Sequence, residues 1–132
     1  MIIGGVAGGA STAARLRRLD EQAEIILFEK GEYISYANCG LPYYIGGVIE
    51  ERERLFVQTP ESFKARFNIE VRIKSEVKAI EPENKQVVIK DWATGKTYRE
   101  SFDKLVLSPG AEPVLPPWEG IRTEGIFTLR NV

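Results

Sequence analysis

The chain has 132 residues, of which 43% are hydrophobic and 28% charged, and its net charge is −1. These values favour one folded globular unit over a disordered chain, and they give no excess of basic charge for binding nucleic acid or an acidic membrane surface. No apolar run approaches the roughly 20 residues that a helix needs to cross a bilayer, and no secretory signal is visible before the first glycines. With no histidine and one cysteine, the sequence offers no imidazole metal site, no Ser-His or Cys-His catalytic pair and no internal disulfide. We therefore expect a cytoplasmic protein without a metal site, a nucleic-acid partner or a membrane partner.

The first part of the chain predicts a strand-helix-strand unit. Met1 to Ile3 is the end of a strand, Gly4 to Gly9 form a glycine turn, and a helix is predicted from about Ala10 to Asp20. The residues of this helix region expected to pack on a sheet recur at spacings of three and four: Thr12, Leu16, Leu19 and Ala23. The continuous apolar run Ile25 to Phe28 predicts a second strand buried on both faces, as is typical of a parallel sheet.

The middle of the chain predicts another helix followed by antiparallel strands. Thr59 before Pro60 predicts a capped helix start, and the helix should end near Asn68. The segments with strand-like alternation are Ile69–Ile73, Val77–Ile80, Val87–Ile89 and Thr97–Phe102. We expect them to form an antiparallel β-meander inserted into an α/β domain. The segment Lys104–Leu107 predicts a further short, buried strand that ends in the turn Ser108–Ala111, and irregular chain follows.

The glycine turn carries most of the fingerprint G-x-G-x-x-G of nucleotide-binding turns. Gly4 and Gly9 occupy the first and third glycine positions, which serve the tight turn and the close packing of helix on strand. Val6 stands at the second position, where glycine normally lets the backbone approach a pyrophosphate. Gly5 and Gly8 flank it and keep the loop small enough for an anion at the helix N-terminus. A glycine turn by itself can equally be structural.

Glu29 strengthens the nucleotide interpretation. It lies 20 residues after Gly9, at the end of the second predicted strand. An acidic side chain there accepts hydrogen bonds from ribose hydroxyls and disfavours a 2′-phosphate. The two features together predict a site for FAD or NAD rather than NADP, and the alternative for Glu29 is a solvated strand end.

Cys39 is the single cysteine, and its neighbours break regular structure. Gly40 is expected to leave the sulfur uncrowded, and Pro42 suits a first helical turn. The thiol would then lie near a helix N-terminus, where the helix dipole and free N–H groups favour the reactive thiolate form. This placement favours a redox thiol beside a flavin over the small buried hydrophobe that a lone cysteine ordinarily is.

The chain resembles the amino-terminal FAD-binding part of pyridine nucleotide-disulfide oxidoreductases. The resemblance rests on four features in this order: the glycine turn, Glu29, the segment from Ser35 to Pro42 and the turn Ser108–Ala111. The residues around Cys39 resemble the single-cysteine branch, which includes coenzyme A disulfide reductases and rhodanese-fused, persulfide-reducing relatives. The resemblance implies a Rossmann-like, partial FAD-binding domain over residues 1–132, with the NAD(P)H and dimerisation domains absent. It also implies a fragment that is inactive alone, from an enzyme that is a homodimer when complete.

For the complete enzyme, the resemblance implies that NAD(P)H reduces FAD and that electrons then pass to Cys39, whose thiolate attacks coenzyme A disulfide or a persulfide. The FAD-binding residues that it implies are Gly4, Gly5, Val6, Ala7, Gly8, Gly9, Glu29, Lys30, Val77, Ser108, Pro109 and Gly110. The substrate-binding residues that it implies are Ser11, Arg15, Arg18, Ser35 and Asn38. Some relatives place a basic substrate contact at position 67, where this chain has Phe67 with Arg66 next to it.

Three other interpretations remain open. An NADH oxidase or peroxidase would cycle Cys39 through a sulfenic acid. A non-catalytic, truncated nucleotide-binding module would keep the fold without electron transfer. An NAD-dependent dehydrogenase domain would account for the glycine turn and Glu29 but not for the Cys39 segment. The basic face of the first helix favours the disulfide reductase.

Overall fold

The structure of the chain is a computed structural model that describes residues 1–132. Its three α-helices are α1 (Ala7–Leu19), α2 (Leu41–Ile45) and α3 (Pro60–Phe67). Its seven strands are β1 (Ile2–Ile3), β2 (Ile26–Phe28), β3 (Glu70–Arg72), β4 (Ser75–Glu81), β5 (Gln86–Asp91), β6 (Thr97–Ser101) and β7 (Val106–Leu107). Short 3-10 turns lie at Asn38–Gly40, Arg52–Leu55 and Pro82–Asn84. None of the helices is both long enough and apolar enough to span a bilayer.

The strands form two sheets. The first has four parallel strands in the order β3-β2-β1-β7, and Ile2 of β1 lies opposite Leu27 on one side and Val106 on the other. The second is an antiparallel meander in the order β4-β5-β6, with a register shift between Val77 and Ala79. This architecture confirms the predicted α/β fold with an inserted antiparallel β-meander.

The parallel sheet lies between the helices and the meander, so the fold has three layers. Alternate residues of the β2 region enter different cores: Ile25 and Leu27 pack in the cluster that contains Ala10, Ala13 and Phe63 on the helix side. Ile26 and Phe28 pack on the other side, with the fully buried Val87 and Ile89 of β5. Because both faces of β2 are covered, its sequence is continuously apolar rather than alternating.

Helix α1 differs from its prediction in both its start and its buried face. It begins at Ala7 rather than Ala10, so the second pair of glycines lies inside the helix. Its buried residues are Gly9, Ala10 and Ala13, whereas Leu16 and Leu19 are 38% and 65% exposed. The prediction failed because close contact between the helix and β1 requires small residues, and the apolar periodicity marked the larger side chains instead.

Strands β3 and β7 also correct the predictions. β3 was expected to be antiparallel, but it pairs in parallel with β2, since the helical crossover through α3 returns the chain to the same end of the sheet. The sequence of β3 alternates between apolar and polar residues because β3 is an edge strand, and only one of its faces is covered. β7 is confirmed as a strand, but Leu107 is 60% exposed because β7 is the other edge of the sheet.

Helix α3 begins with the capped start that the sequence predicted. The Thr59 hydroxyl accepts a hydrogen bond from the Ser62 N–H at 3.3 Å, and the Thr59 N–H donates to the Ser62 hydroxyl at 2.9 Å. Pro60 is the first helical residue, and the helix ends at Phe67, followed by the C-cap residue Asn68, whose φ of 47° is left-handed. This cap stabilises the start of α3, the helix whose Phe63 side chain packs in the core.

We expect Thr59→Ala to lower the free energy of unfolding by about 1 kcal/mol, because the Ser62 N–H loses its capping acceptor. Urea unfolding followed by circular dichroism would measure the change. Thr128→Ala, in the exposed C-terminal segment, is the control and should stay within about 0.5 kcal/mol of the unsubstituted chain. Equal effects of the two substitutions would contradict the capping role of Thr59.

Candidate functional site

The glycine turn connects β1 to α1 and is held by close backbone contacts. Gly4 has a φ of +94°, and a Cβ atom at this position would lie 1.9 Å from the Ser108 carbonyl oxygen. A Cβ atom at Gly9 would lie 1.7 Å from the Gly4 carbonyl oxygen. Contacts below 3.0 Å are not tolerated between such atoms, so both positions require glycine. Steric contact with backbone carbonyl oxygens therefore explains why glycine occupies the first and third positions of the predicted fingerprint.

The N-terminus of α1 is open to an anion. Val6 precedes the helix without a side-chain cap, and no acidic residue lies in the first turn. The first N–H groups of an α-helix have no acceptor within the helix, and they carry the positive end of its dipole. The turn and this helix start together form an uncapped group of N–H donors at the carboxyl edge of the parallel sheet, which fits a pyrophosphate.

Glu29 lies directly after β2 and is 9% exposed. One carboxylate oxygen, Oε2, accepts a hydrogen bond from the Gly5 N–H at 2.8 Å, and Oε1 accepts one from the Gly31 N–H at 2.8 Å. Each carboxylate oxygen has a second lone pair available for another donor. Glu29 thus links the glycine turn to the loop after β2, a role that the sequence did not predict.

We expect Glu29→Ala to reduce the free energy of unfolding by about 2–3 kcal/mol, because two N–H groups lose a charged acceptor and the Gly5 N–H is buried. Urea denaturation would measure the loss. Glu32→Ala is the matched control, since Glu32 is exposed and pairs with Lys74 at the surface. That substitution should have a much smaller effect, because a solvent-exposed ion pair contributes little to stability. A loss as large as that for Glu29→Ala would argue against a stabilising role for the buried hydrogen bonds of Glu29.

The other predicted cofactor residues surround the same edge of the sheet. A cavity between the two sheets is lined by Gly4, Glu29, Lys30, Val77 and Pro109, among others. The Ser108 N–H donates to the Ile3 carbonyl at 2.8 Å, and the Ser108 hydroxyl faces Gly8. Gly110 has a φ of +74°. Of the twelve predicted cofactor residues, the structure places Gly4, Glu29, Lys30, Val77 and Pro109 around this cavity and Ser108 against the glycine turn. The remaining six, which do not line the cavity, are Gly5, Val6, Ala7, Gly8, Gly9 and Gly110.

Lys30 closes part of this edge through an ion pair with Glu112. The hydrogen bond between the two side chains raises the pKa of Lys30 and lowers the pKa of Glu112. Both side chains are largely exposed, so the pair orients Lys30 more than it stabilises the fold.

The segment that carries Cys39 is anchored to the glycine turn. The Ser35 N–H donates to the Gly5 carbonyl at 2.9 Å, and the Ser35 carbonyl accepts from the Val57 N–H at 2.9 Å. Ser35 has a φ of 46°, which is left-handed. Cys39 is exposed and lies in the 3-10 turn that leads into α2. The hydrogen bonds of Ser35 connect the cysteine loop to the nucleotide turn.

Gly40 has a different role from the predicted one. It is buried, and a Cβ atom there would lie 2.8 Å from Cδ2 of Leu55. A side chain at position 40 would displace the buried Leu55 side chain, because the turn packs on Leu55. Pro42 lies in the first turn of α2, as predicted.

The predicted substrate residues are only partly brought together. Ser11 and Ser35 line one apolar cleft between α1, the start of the cysteine loop and α3. Arg15 and Arg18 are exposed further along α1, on the same helix side as Ser11. Asn38 does not line the cleft. Its side-chain amide instead donates to the Arg130 carbonyl at 3.5 Å.

The contacts made by the C-terminal segment were not predicted. The Arg130 guanidinium donates from Nε to the Ala111 carbonyl at 2.9 Å, and the Tyr36 hydroxyl donates to the Asn131 side chain at 3.1 Å. The hydrogen bonds of Tyr36 with Asn131 and of Asn38 with Arg130 join the cysteine loop to residues 95 and 92 positions away, in a segment that has no periodic pattern. No local signal in the sequence could have predicted them.

Comparisons with known proteins agree with this geometry. The chain is 45% identical over all 132 residues to a coenzyme A disulfide reductase of Staphylococcus aureus (strain JH9), and the match covers 30% of that protein. The structure of reduced CoADR-RHD from Bacillus anthracis matches with a TM-score of 0.96 and 59% identity, covering 99% of this chain and 24% of that one. An NAD-dependent persulfide reductase from A. fulgidus matches with a TM-score of 0.88 and 39% identity, covering 94% of this chain and 23% of that one.

The chain thus spans about 30% of the length of the curated relatives that it matches. The sequence model of one family, described as pyridine nucleotide-disulphide oxidoreductase, matches residues 1–132. The match includes the glycine turn, Glu29, the Cys39 loop and the Ser108 turn, in the order on which the resemblance was based. The chain therefore belongs to the pyridine nucleotide-disulphide oxidoreductase family.

Proposed function

We propose that this chain forms the amino-terminal FAD-binding part of an enzyme that uses NAD(P)H to reduce coenzyme A disulfide or a persulfide through Cys39. The observation that carries the proposal is the hydrogen bond from the Ser35 N–H to the Gly5 carbonyl, which ties the cysteine loop to the nucleotide turn. The similarity to a coenzyme A disulfide reductase and to a persulfide reductase supports the choice of substrate.

The cofactor residues have separate roles in this proposal. The glycine turn and the start of α1 bind the pyrophosphate of FAD, and the free lone pairs of Glu29 accept from ribose hydroxyls. Lys30, Val77 and Pro109 line the cavity that would lie beside the adenosine, and Ser108 and Gly110 flank Pro109 in the same turn. FAD, when bound, accepts a hydride from NAD(P)H and delivers the electron pair to sulfur.

Cys39 carries out the exchange with the substrate. Its thiolate attacks one sulfur of coenzyme A disulfide, so a bond forms between the two sulfurs and the second coenzyme A leaves as a thiolate. Two electrons then cleave the mixed disulfide, which returns the Cys39 thiolate and releases the other coenzyme A thiolate. Cys39 is the only cysteine of the chain, so the intermediate joins protein to substrate rather than two protein sulfurs.

The predicted substrate residues complete the site. Ser11 and Ser35 line the cleft that leads to the cysteine loop, and Asn38 precedes the reactive sulfur. Arg15 and Arg18 provide positive charge for the phosphates of coenzyme A. We attribute NAD(P)H binding and assembly into a homodimer to the longer protein of which the relatives are examples, and we place that protein in the cytoplasm.

We expect the chain to retain about one FAD per molecule after incubation with the cofactor and desalting, as read from its visible absorbance. Glu29→Ala should lose the flavin, whereas Glu32→Ala should retain it. A folded chain that retains no flavin, or a Glu29→Ala variant that retains as much as the unsubstituted chain, would contradict the proposed cofactor site.

A further inference from the structure

The chain that follows α2 returns to the cysteine loop and pairs with it. We call residues 52–57 the strap. Phe56 of the strap forms an antiparallel bridge with Tyr36, and the Leu55 carbonyl accepts a hydrogen bond from the Ala37 N–H at 2.8 Å. Ala37 lies two residues before the reactive cysteine. The strap therefore holds the loop by main-chain contacts just before the sulfur.

Leu55 also supports the loop from its buried side. The Leu55 side chain is fully buried, and its Cδ2 atom lies 2.8 Å from the position of a Cβ atom added at Gly40. Gly40 directly follows Cys39 and is buried, and its N–H donates to the Ala37 carbonyl at 2.9 Å. Leu55 thus contacts the loop on both sides of Cys39, through its carbonyl before the cysteine and through its side chain after it.

An aromatic pair holds the other face of the strap. Successive side chains of an extended segment point to opposite faces, and the Phe56 ring stacks on the Tyr33 ring with the centroids 4.7 Å apart. The guanidinium carbon of Arg52 lies 4.9 Å from the Tyr33 centroid and 5.8 Å from the Phe56 centroid. The cation is attracted to the faces of both rings, so it joins the start of the strap to the aromatic pair.

These contacts fix the cysteine loop from outside the proposed ligand site. Neither Leu55 nor Arg52 lines the cleft beside α1 or the cavity between the two sheets. We propose that Leu55 and Arg52 are positioning residues, which set the place of the Cys39 sulfur for its attack on a disulfide. The inference rests on the proposed function, because it assigns both residues to that attack. A reacting group that is misplaced by about 1 Å can lose on the order of 100-fold in rate.

The test compares two reactions of the same thiol, followed by intact mass spectrometry. With coenzyme A disulfide, the Cys39 sulfur bonds to one coenzyme A sulfur, and the other coenzyme A leaves as a thiolate. With iodoacetamide, the sulfur forms a thioether and iodide leaves. Both reactions need an exposed thiolate, but coenzyme A disulfide must also fit the surface around the sulfur. The ratio of the two rates therefore reports the placement of the sulfur separately from its ionisation.

We expect Leu55→Ala to lower this ratio by about three- to tenfold, because a cavity beneath Gly40 lets the cysteine loop shift. Ile89→Ala is the matched control. It removes the same number of carbon atoms from an equally buried side chain, but Ile89 lies in β5, in the other core. It should leave the ratio unchanged. If either alanine variant does not fold, Leu55→Val and Ile89→Val replace the pair, and the Leu55 variant should again lower the ratio.

Arg52→Ala tests the other face of the strap without opening the core. We expect it to lower the ratio by about twofold, because the two rings lose the cation that joins them to the strap. Arg54→Ala is its control, since Arg54 lies in the same turn but donates from Nε to the Glu51 side chain at 2.9 Å. Both substitutions remove one positive charge. Equal effects of the two would overturn the role of Arg52.

The outcomes separate this inference from the proposed function. If the unsubstituted chain reacts with coenzyme A disulfide and Leu55→Ala keeps the full ratio, the positioning role is overturned and the proposed function stands. An equal fall in Ile89→Ala would overturn that role too, because a general loosening of the fold would then explain the effect. A Cys39 that reacts with iodoacetamide but forms no mixed disulfide with coenzyme A disulfide would overturn the proposed function and this inference with it.

Discussion

Cys39→Ser is expected to abolish formation of a mixed disulfide with coenzyme A disulfide while leaving the unfolding midpoint and flavin retention unchanged. Cys39 supplies the only sulfur atom able to attack a disulfide, and a serine hydroxyl cannot replace it. The side chain is exposed and has no disulfide partner, so its substitution leaves the core intact. Intact mass spectrometry would measure the adduct, and circular dichroism would measure the fold.

A variant that moves the thiol provides a sharper control. Cys39→Ser combined with Ala93→Cys keeps one exposed cysteine but places it in the turn between β5 and β6, away from the cleft. We expect this cysteine to react with coenzyme A disulfide more slowly than Cys39 does. If the moved thiol reacted with coenzyme A disulfide as fast as Cys39, the surroundings of Cys39 would have no part in substrate recognition. In the complete enzyme, disulfide reduction by a Cys39→Ser variant would contradict the redox role of Cys39.

Gly9→Ala is expected to destabilise the chain by several kcal/mol, on the order of half or more of the stability of a typical small domain. Within an ordinary helix, replacing glycine by alanine stabilises by roughly 1 kcal/mol, so the predicted effect has the opposite sign. The reason is that the new Cβ atom would lie 1.7 Å from the Gly4 carbonyl oxygen. Both atoms belong to the junction of β1 and α1, and neither can move without separating the helix from the sheet.

The matched control for Gly9 is Gly47→Ala. Gly47 has a φ of +75°, but no atom lies within 4 Å of the position of an added Cβ. We expect a loss of about 1 kcal/mol there, from backbone conformation alone. Thermal unfolding followed by circular dichroism, with visible absorbance after FAD loading, would compare the two variants. A Gly9→Ala variant as stable as Gly47→Ala would contradict the close packing of α1 on the glycine turn.

The residues of the candidate site that are local in sequence were expected to lie together, and the structure places them together. Gly4, Gly9 and Glu29 belong to one strand-helix-strand unit, in which spacing alone fixes which residues meet at the edge of the sheet. The apolar cleft was not predicted. Its walls come from α1, α3 and the chain near Val57, and residues distant in sequence meet there only through tertiary packing.

By itself, the sequence determined the fold class, the capped start of α3, the meander and the family, because periodicity, capping residues and glycine spacing are local properties. Tertiary structure decided the direction of β3, the buried face of α1 and the exposure of Leu107. Strand direction depends on the path of the crossover, and burial depends on which neighbouring layer covers a residue. Tertiary structure also decided that Glu29 accepts hydrogen bonds from Gly5 and Gly31, because the backbone donors that a buried carboxylate meets are set by how the loops pack.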